Sequence, residues 1–360
     1  MKNEASDVIK LIRLIGTPHE DNTEGYLPEN SKEAEKLYVL AKKNKISLTY
    51  LEALNSYDLL DKFGLRERWE HENKNYEEQK ITAVRFSRVL NELNVDYSLF
   101  KSLYPFKATP NDVDVLFYGN REEYNELIKE LPKFGYSLIV DIPSPAEVMF
   151  HDNRNDPHLD PKEKDVYDVD LYIEAGASYL IYLDKRKLRE YVISKKILNE
   201  RIKVLSPVAD LVAMFTHAII PEFIFTLILY YNTLYYLMGM SKNDLNELFK
   251  ISRQNRVVYP VKLNLITVAA IHNTIHGFIP PELEYLLELF NVNENEIKQN
   301  LIVQVPFHYS YTQVARVLLE KSFEWKFFKS FLQQIISVMN PKYGAWVVKV
   351  IKERFRRDTY

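Results

Sequence analysis

Two aspartate pairs stand out for the chemistry they could support. Asp112-Val113-Asp114 and Asp168-Val169-Asp170 each space two carboxylates one residue apart. In an extended strand side chains i and i+2 share a face, so each pair aims both carboxylates at one spot. Two or three carboxylates on one face repel one another unless a cation lies between them. Their hard oxygens favour Mg2+ or Mn2+ over zinc. Such a set can hold two ions about 3.5–4 Å apart and activate a hydroxyl for in-line attack on phosphorus. Phosphoryl transfer chiefly demands positioning and charge neutralisation. An isolated Asp-Val-Asp is more often a pair of exposed turn formers. Here the first pair runs into Val115, Leu116 and Phe117, which suit a buried strand. It is also preceded by Lys101 and Lys107, cations suited to phosphate oxygens, although an isolated lysine is commonly just solvated.

Other candidates are weaker. His217 follows Asp210 by seven residues, two helical turns, on an apolar stretch. It reads first as a core histidine satisfied by hydrogen bonds, with a contact to nucleotide or catalytic strand as the alternative. His151 and Asp152 end a strand and could face the aspartates. His272 and His276 are spaced i, i+4 and could form half a metal site, but no HExxH surrounds them. The last helix carries Lys342, Lys349, Lys352, Arg354, Arg356 and Arg357 against Glu353. It reads as a solvated face rather than a contact to RNA or nucleotide phosphate.

Composition removes whole classes. The chain has 360 residues, no cysteine and nine glycines, no two closer than nine positions (Gly16 and Gly25). Thiol nucleophiles, thiolate metal sites, the P-loop and the GxGxxG fingerprint are all excluded. The formal charge of −3 provides no field for duplex DNA or an anionic membrane. The most apolar stretch, 211–240, is broken by His217, Pro221, Glu222 and Asn232, so two buried helices are expected rather than a membrane span. The charged N-terminus lacks a signal-peptide pattern, and a cytoplasmic location is expected.

The elements that must position the aspartates follow from periodicity. Residues 1–75 read as a helical region, with helices over 31–44 and 48–60 and a polar run, 70–79, that is either an exposed helix or a connection. Residues 76–180 alternate. A helix over 81–93 is followed by strands at 97–100 and 112–118, a helix over 121–133 ending near Gly135, and strands at 136–140, 147–151 and 169–173. The 101–111 loop contains Pro105 and Pro110, and 152–164 reads as an exposed loop. From 181 to 360 the signals are almost wholly helical, including 184–194, 207–220 capped by Ser206, 223–238, 244–252, 262–276, 281–289, 311–320, 324–339 and 342–357.

The order Leu99-Phe100-Lys101-Ser102, Leu103-Tyr104-Pro105, Asp112-Val113-Asp114-Val115-Leu116, Phe134-Gly135-Tyr136, Val169-Asp170-Leu171-Tyr172, then Ser206-Pro207 to Leu211 and His217 resembles the DNA polymerase beta-like nucleotidyltransferase superfamily. Within it, the chain is most similar to an uncharacterised bacterial and archaeal family, over roughly residues 30–240. The resemblance implies an α+β fold: a small nucleotidyltransferase-type mixed β-sheet with helices, flanked by helical N-terminal and C-terminal regions. It implies that Asp112 and Asp114 bind metal. Asp170 would be the third carboxylate and the base for the acceptor hydroxyl, with Asp168 as the alternative. Ser102 would sit in the turn that contacts the nucleotide phosphates, with Lys101 beside it and Lys107 as a further phosphate cation. The expected activity is Mg2+- or Mn2+-dependent transfer of a nucleoside monophosphate from a nucleoside triphosphate to an acceptor hydroxyl. The acceptor stays open among small molecule, protein and RNA, and the near-neutral charge speaks against RNA. The rivals are a catalytically silent module that binds a nucleotide or protein, and an antitoxin-like partner of a toxin pair.

Overall fold

The computed structural model describes residues 2–21, 23–108, 112–139, 146–153, 168–299, 304–354 and 356. Helices α1 (Lys2–Ile15), α2 (Ser31–Lys43), α3 (Ser47–Ser56) and α4 (Leu60–Phe63) lead into α5 (Arg66–Glu92). The strands β1 (Tyr97–Leu99) and β2 (Asp112–Phe117), helix α6 (Arg121–Glu130), and strands β3 (Tyr136–Ile139), β4 (Glu147–Asp152) and β5 (Asp168–Tyr172) follow. A short hairpin, β6 (Ala175–Ala177) with β7 (Leu180–Leu183), precedes α7 (Lys185–Arg189), β8 (Val192–Ile197) and β9 (Glu200–Leu205). Then come α8 (Pro207–Ile219), β10 (Ile224–Phe225), α9 (Leu227–Met238), α10 (Lys242–Gln254) and α11 (Val258–His276). After α12 (Pro281–Leu289) and α13 (Glu294–Gln299), β11 (Phe307–His308) pairs with β10, and α14 (Tyr311–Ser322), α15 (Trp325–Val338) and α16 (Pro341–Arg354) close the chain.

The fold is α+β, built on a mixed seven-stranded sheet in the order β3-β4-β5-β2-β1-β9-β8. β2 and β5 run parallel at its centre. Strand alternation divides the sheet between two cores. Val113, Val115, Phe117, Val169 and Leu171 pack with Phe86 and Leu90 of α5 and Tyr124 of α6. The opposite face gives Phe100, Leu116 and Tyr172 to a larger core shared by α1–α4 and α8–α12. The aspartates therefore emerge on the side that looks toward both helical regions.

One open alternative is resolved and two expectations need correction. The polar run 70–79 is helical, and it belongs to one 27-residue helix, α5, that crosses residue 75. Its polar residues are not all exposed, since Glu72 and Gln79 are buried. The helix expected over 184–194 stops at Arg189, and the chain turns into β8 and β9, which extend the sheet to seven strands. β8 is a terminal strand whose Lys195 and Lys196 are the charges that edge strands use against unwanted pairing, and those charges imitate a polar helix. The stretch 223–238 is also not one helix, because Ile224–Phe225 pairs with β11 before α9 begins. Smaller points concern ends: Ser206 is the α8 N-cap residue but its hydroxyl makes no cap hydrogen bond, and Gly135, at φ 89°, closes the turn before β3. Pro110, Val140, Arg357 and most of the 152–164 loop lie outside the described residues. Among the described residues, no helix is long and apolar enough to cross a membrane.

Candidate metal centre

β2 and β5 pair in register, with Asp112 opposite Asp168 and Asp114 opposite Asp170. Partners in a parallel pair share a face, and Val113 and Val169 are anchored in the α5 core on the other. Packing beneath the sheet thus sets the direction of the carboxylates above it. One carboxylate oxygen each from Asp112, Asp114 and Asp170 lies within 4.8 Å of the others, and no second such group of three occurs among the described residues. Asp114 and Asp170 are buried. Asp168 stands outside the group, its Oδ1 3.0 Å from Nδ1 of His151. His151 lies on the aspartate face of β4, opposite Asp168, whereas Asp152 points to the other face and pairs with Arg85 at 3.3 Å. The same alternation puts Glu147, opposite Tyr172, on the aspartate face. Glu147 escaped the sequence reading, although its i−4 spacing from His151 was visible.

The turn after β1 is built around Asp114. Ser102 Oγ donates to the Phe100 carbonyl at 3.0 Å and accepts from the Asp114 N–H at 2.7 Å. Gln79 of α5 donates Nε2 to the carbonyls of Ser102 (2.9 Å) and Asp112 (3.2 Å), clamping the turn to the start of β2. Lys101 adopts φ 58°, the left-handed region a lysine rarely enters. Its N–H donates to Asp210 Oδ1 at 2.7 Å, and its Nζ reaches Asp114 Oδ1 at 3.3 Å. The phosphate ligands expected from sequence are therefore engaged within the protein. Lys101 and Ser102 serve Asp114, and the exposed Lys107 pairs with Glu52 of α3 at 2.8 Å.

Electrostatics follow from crowding. Burial raises the carboxyl of Asp114; the Lys101 ammonium opposes this, and Asp112 adds to it. Burial also pushes Asp170 well up, helped by the charges of Asp112, Asp114 and Glu147. Burial disfavours the Lys101 ammonium, but Asp114, Tyr182, Asp112 and Glu147 outweigh it, so Lys101 stays protonated. The Oδ1 of Asp170 is buried with no hydrogen-bond partner. A buried, unsatisfied carboxylate oxygen among like charges is costly. A hard divalent cation such as Mg2+ or Mn2+ fits this donor set and relieves that cost.

Behind Lys101 runs a second polar chain. His217 of α8 presents Nδ1 to the Lys101 Nζ at 3.4 Å and to the Tyr182 hydroxyl at 2.8 Å, and Nε2 to Glu222 at 3.4 Å. Glu222 also meets Arg354 of α16 at 3.4 Å. Burial and the Lys101 charge lower His217 to about 4. Burial opposes ionisation of Glu222, but His217 and Arg354 win and bring it to about 2. The neutral Nε2–H tautomer of His217 satisfies every contact: Nδ1 accepts from Tyr182 and Lys101, and Nε2–H faces Glu222. Asp210 and His217, two turns apart, thus hold the backbone and the side chain of Lys101 from one helix face. His272 and His276 lie elsewhere, hydrogen-bonded to the Phe278 carbonyl (2.9 Å) and Glu20. On α16, Lys349 faces Glu353 and Arg354 turns inward to Glu222. A cavity of about 250 Å³ beside Lys101, lined also by Asp210, Tyr236 and Pro207, includes none of Asp112, Asp114, Asp168 and Asp170.

No family model matches the chain, and no curated protein matches it either. Among solved structures, it is similar to an antigenic nucleotidyltransferase-like protein from Paracoccidioides brasiliensis, at 13% identity over 64% of this chain and 95% of that one, with a TM-score of 0.30. A likeness that low carries no weight for fold or chemistry, which rest here on the sheet and its carboxylates.

Proposed function

We propose that the protein is a metal-dependent nucleotidyltransferase that moves a nucleoside monophosphate from a nucleoside triphosphate to an acceptor hydroxyl. One observation supports this above the rest: carboxylates of Asp112, Asp114 and Asp170 converge from two parallel strands, with a buried Asp170 oxygen unpartnered. Asp112, Asp114 and Asp170 would hold a divalent cation, which supplies charge neutralisation on the phosphate oxygens. The raised Asp170 carboxyl suits a proton acceptor. In the step, the acceptor O–H gives its proton to the Asp170 carboxylate. The acceptor oxygen bonds to the α-phosphorus, the bond from that phosphorus to the bridging oxygen breaks, and pyrophosphate leaves with the electron pair. Positioning falls to the turn that Ser102, Gln79 and Asp210 fix.

The test is transfer of label from α-labelled nucleoside triphosphates with Mg2+ or Mn2+, offering small-molecule, protein and RNA acceptors separately. Asp112→Asn, Asp114→Asn and Asp170→Asn should each lower transfer by about a hundredfold or more. Label that survives all three substitutions rejects the assignment. A second reading, a silent module that binds nucleotide without transfer, is favoured by the internal engagement of Lys101, Ser102 and Lys107. Saturable nucleotide binding with no transfer to any acceptor class would select it.

A further inference from the structure

The carboxylate group already includes a cation of its own. Lys101 Nζ lies 3.3 Å from Asp114 Oδ1 and is buried with it. The ammonium is fixed from all sides. Its backbone N–H is tied to Asp210, itself held by the Tyr236 hydroxyl at 2.8 Å. The Phe100 and Tyr172 rings lie 4.6 and 5.1 Å from Nζ, and His217 Nδ1 receives it at 3.4 Å. A lysine held at φ 58° carries backbone strain that a glycine would not, and such strain persists only where the surrounding contacts over-determine the conformation. A lysine that merely solvated the pocket rim would need none of these contacts.

We propose that the Lys101 ammonium is the second cation of this centre, so that the protein binds one divalent ion and not two. The proposal rests on the metal-dependent reading above. Geometry favours it. Lys101 Nζ already takes up Oδ1 of Asp114, one of the three carboxylates that a pair of dications would have to share. A second dication would have to enter beside that ammonium, among Asp114 and Asp170 side chains withdrawn from water. The like charge of Lys101 beside Asp114 opposes that ion directly. The division of labour also assigns the ligands. Asp112 and Asp170, with the free Asp170 Oδ1, serve the divalent ion, and Asp114 is shared between ion and ammonium.

The experiment counts Mn2+ bound to the full chain, with the metal as sole ligand, from loss of the free-ion paramagnetic resonance signal. The wild type should bind one ion. Lys101→Gly, which removes the ammonium and relieves the φ 58° strain, should bind two. Lys101→Met, which removes the charge and keeps an unbranched side chain, should also bind two, and it decides the matter if circular dichroism shows the glycine variant unfolded. Two ions on the wild type, or one on wild type and folded variants alike, overturns the role of Lys101 and leaves the metal-dependent reading intact. No ion on the wild type overturns both.

Discussion

The Ser102 side chain contributes through its hydroxyl oxygen. Its Oγ accepts the buried N–H of Asp114 and donates to the Phe100 carbonyl, so Ser102→Ala leaves both without a partner. A buried amide deprived of its acceptor costs about 1–3 kcal/mol. The urea midpoint of Ser102→Ala should fall accordingly with an unchanged denaturant slope. If stability is unaffected while nucleotide affinity drops, Ser102 contacts phosphate instead. Which residues could do chemistry was legible, because Asp-Val-Asp in a strand can present its carboxylates in one way only. What Lys101 and Ser102 do was not. Both stand before the aspartates where phosphate ligands would stand, and nothing local reveals that Asp210, 109 residues later, takes the Lys101 N–H. Glu147 shares a strand face with His151 by spacing, but that this is the aspartate face is fixed only by pairing with β5.

At the scale of elements, β2 and β5 could be read because their β-branched and apolar content agrees with burial on both faces of the sheet. α5 could not be bounded, because Gln79 looks solvent-exposed in a polar run and is in fact spent on two carbonyls of the site. β8 and β9 were concealed by the lysines that protect an edge. The contact of α16 with Glu222, just after α8, was equally invisible, and with His217 it carries a pH response. His217 has a folded value of about 4 against an ordinary 6.5, so the unfolded chain binds more protons between those limits. The contribution of the neutral imidazole is intact above pH 6.5 and is lost as pH falls through 4. Glu222, at about 2 against 4.5, adds stability that is present above pH 4.5 and is lost as pH falls toward 2. Each window is worth roughly 3 kcal/mol, because one pH unit of displacement corresponds to about 1.4 kcal/mol. Urea titrations from pH 7 to 4 should therefore show the wild type losing roughly 3 kcal/mol more than His217→Gln. Parallel losses in the two proteins would remove the imidazole from the account. Arg354→Met, which deprives Glu222 of its cation, should move the lower window upward in pH.

The whole molecule hangs on one sheet that serves two cores. Val115 and Leu116 are neighbours on β2, both fully buried, yet Val115 packs under α5 while Leu116 joins the helical core above. α5 crosses residue 75, and β8 and β9, beyond residue 181, are hydrogen-bonded into the sheet. Helices from both ends of the chain close over the aspartate face. A partition into units at 75 and 180 would cut through a helix and through the sheet, so the three regions read from sequence should not melt separately. Removing methyl groups from a close-packed interior costs about 2–5 kcal/mol for Leu→Ala and somewhat less for Val→Ala. Val115→Ala in the lower core and Leu211→Ala in the upper core should therefore both lower the midpoint of one calorimetric transition, with calorimetric and van't Hoff enthalpies in agreement. Two transitions, each moved by one substitution alone, would mean that the cores are independent. The candidate metal centre would then lie between independently melting units, rather than on one cooperative sheet.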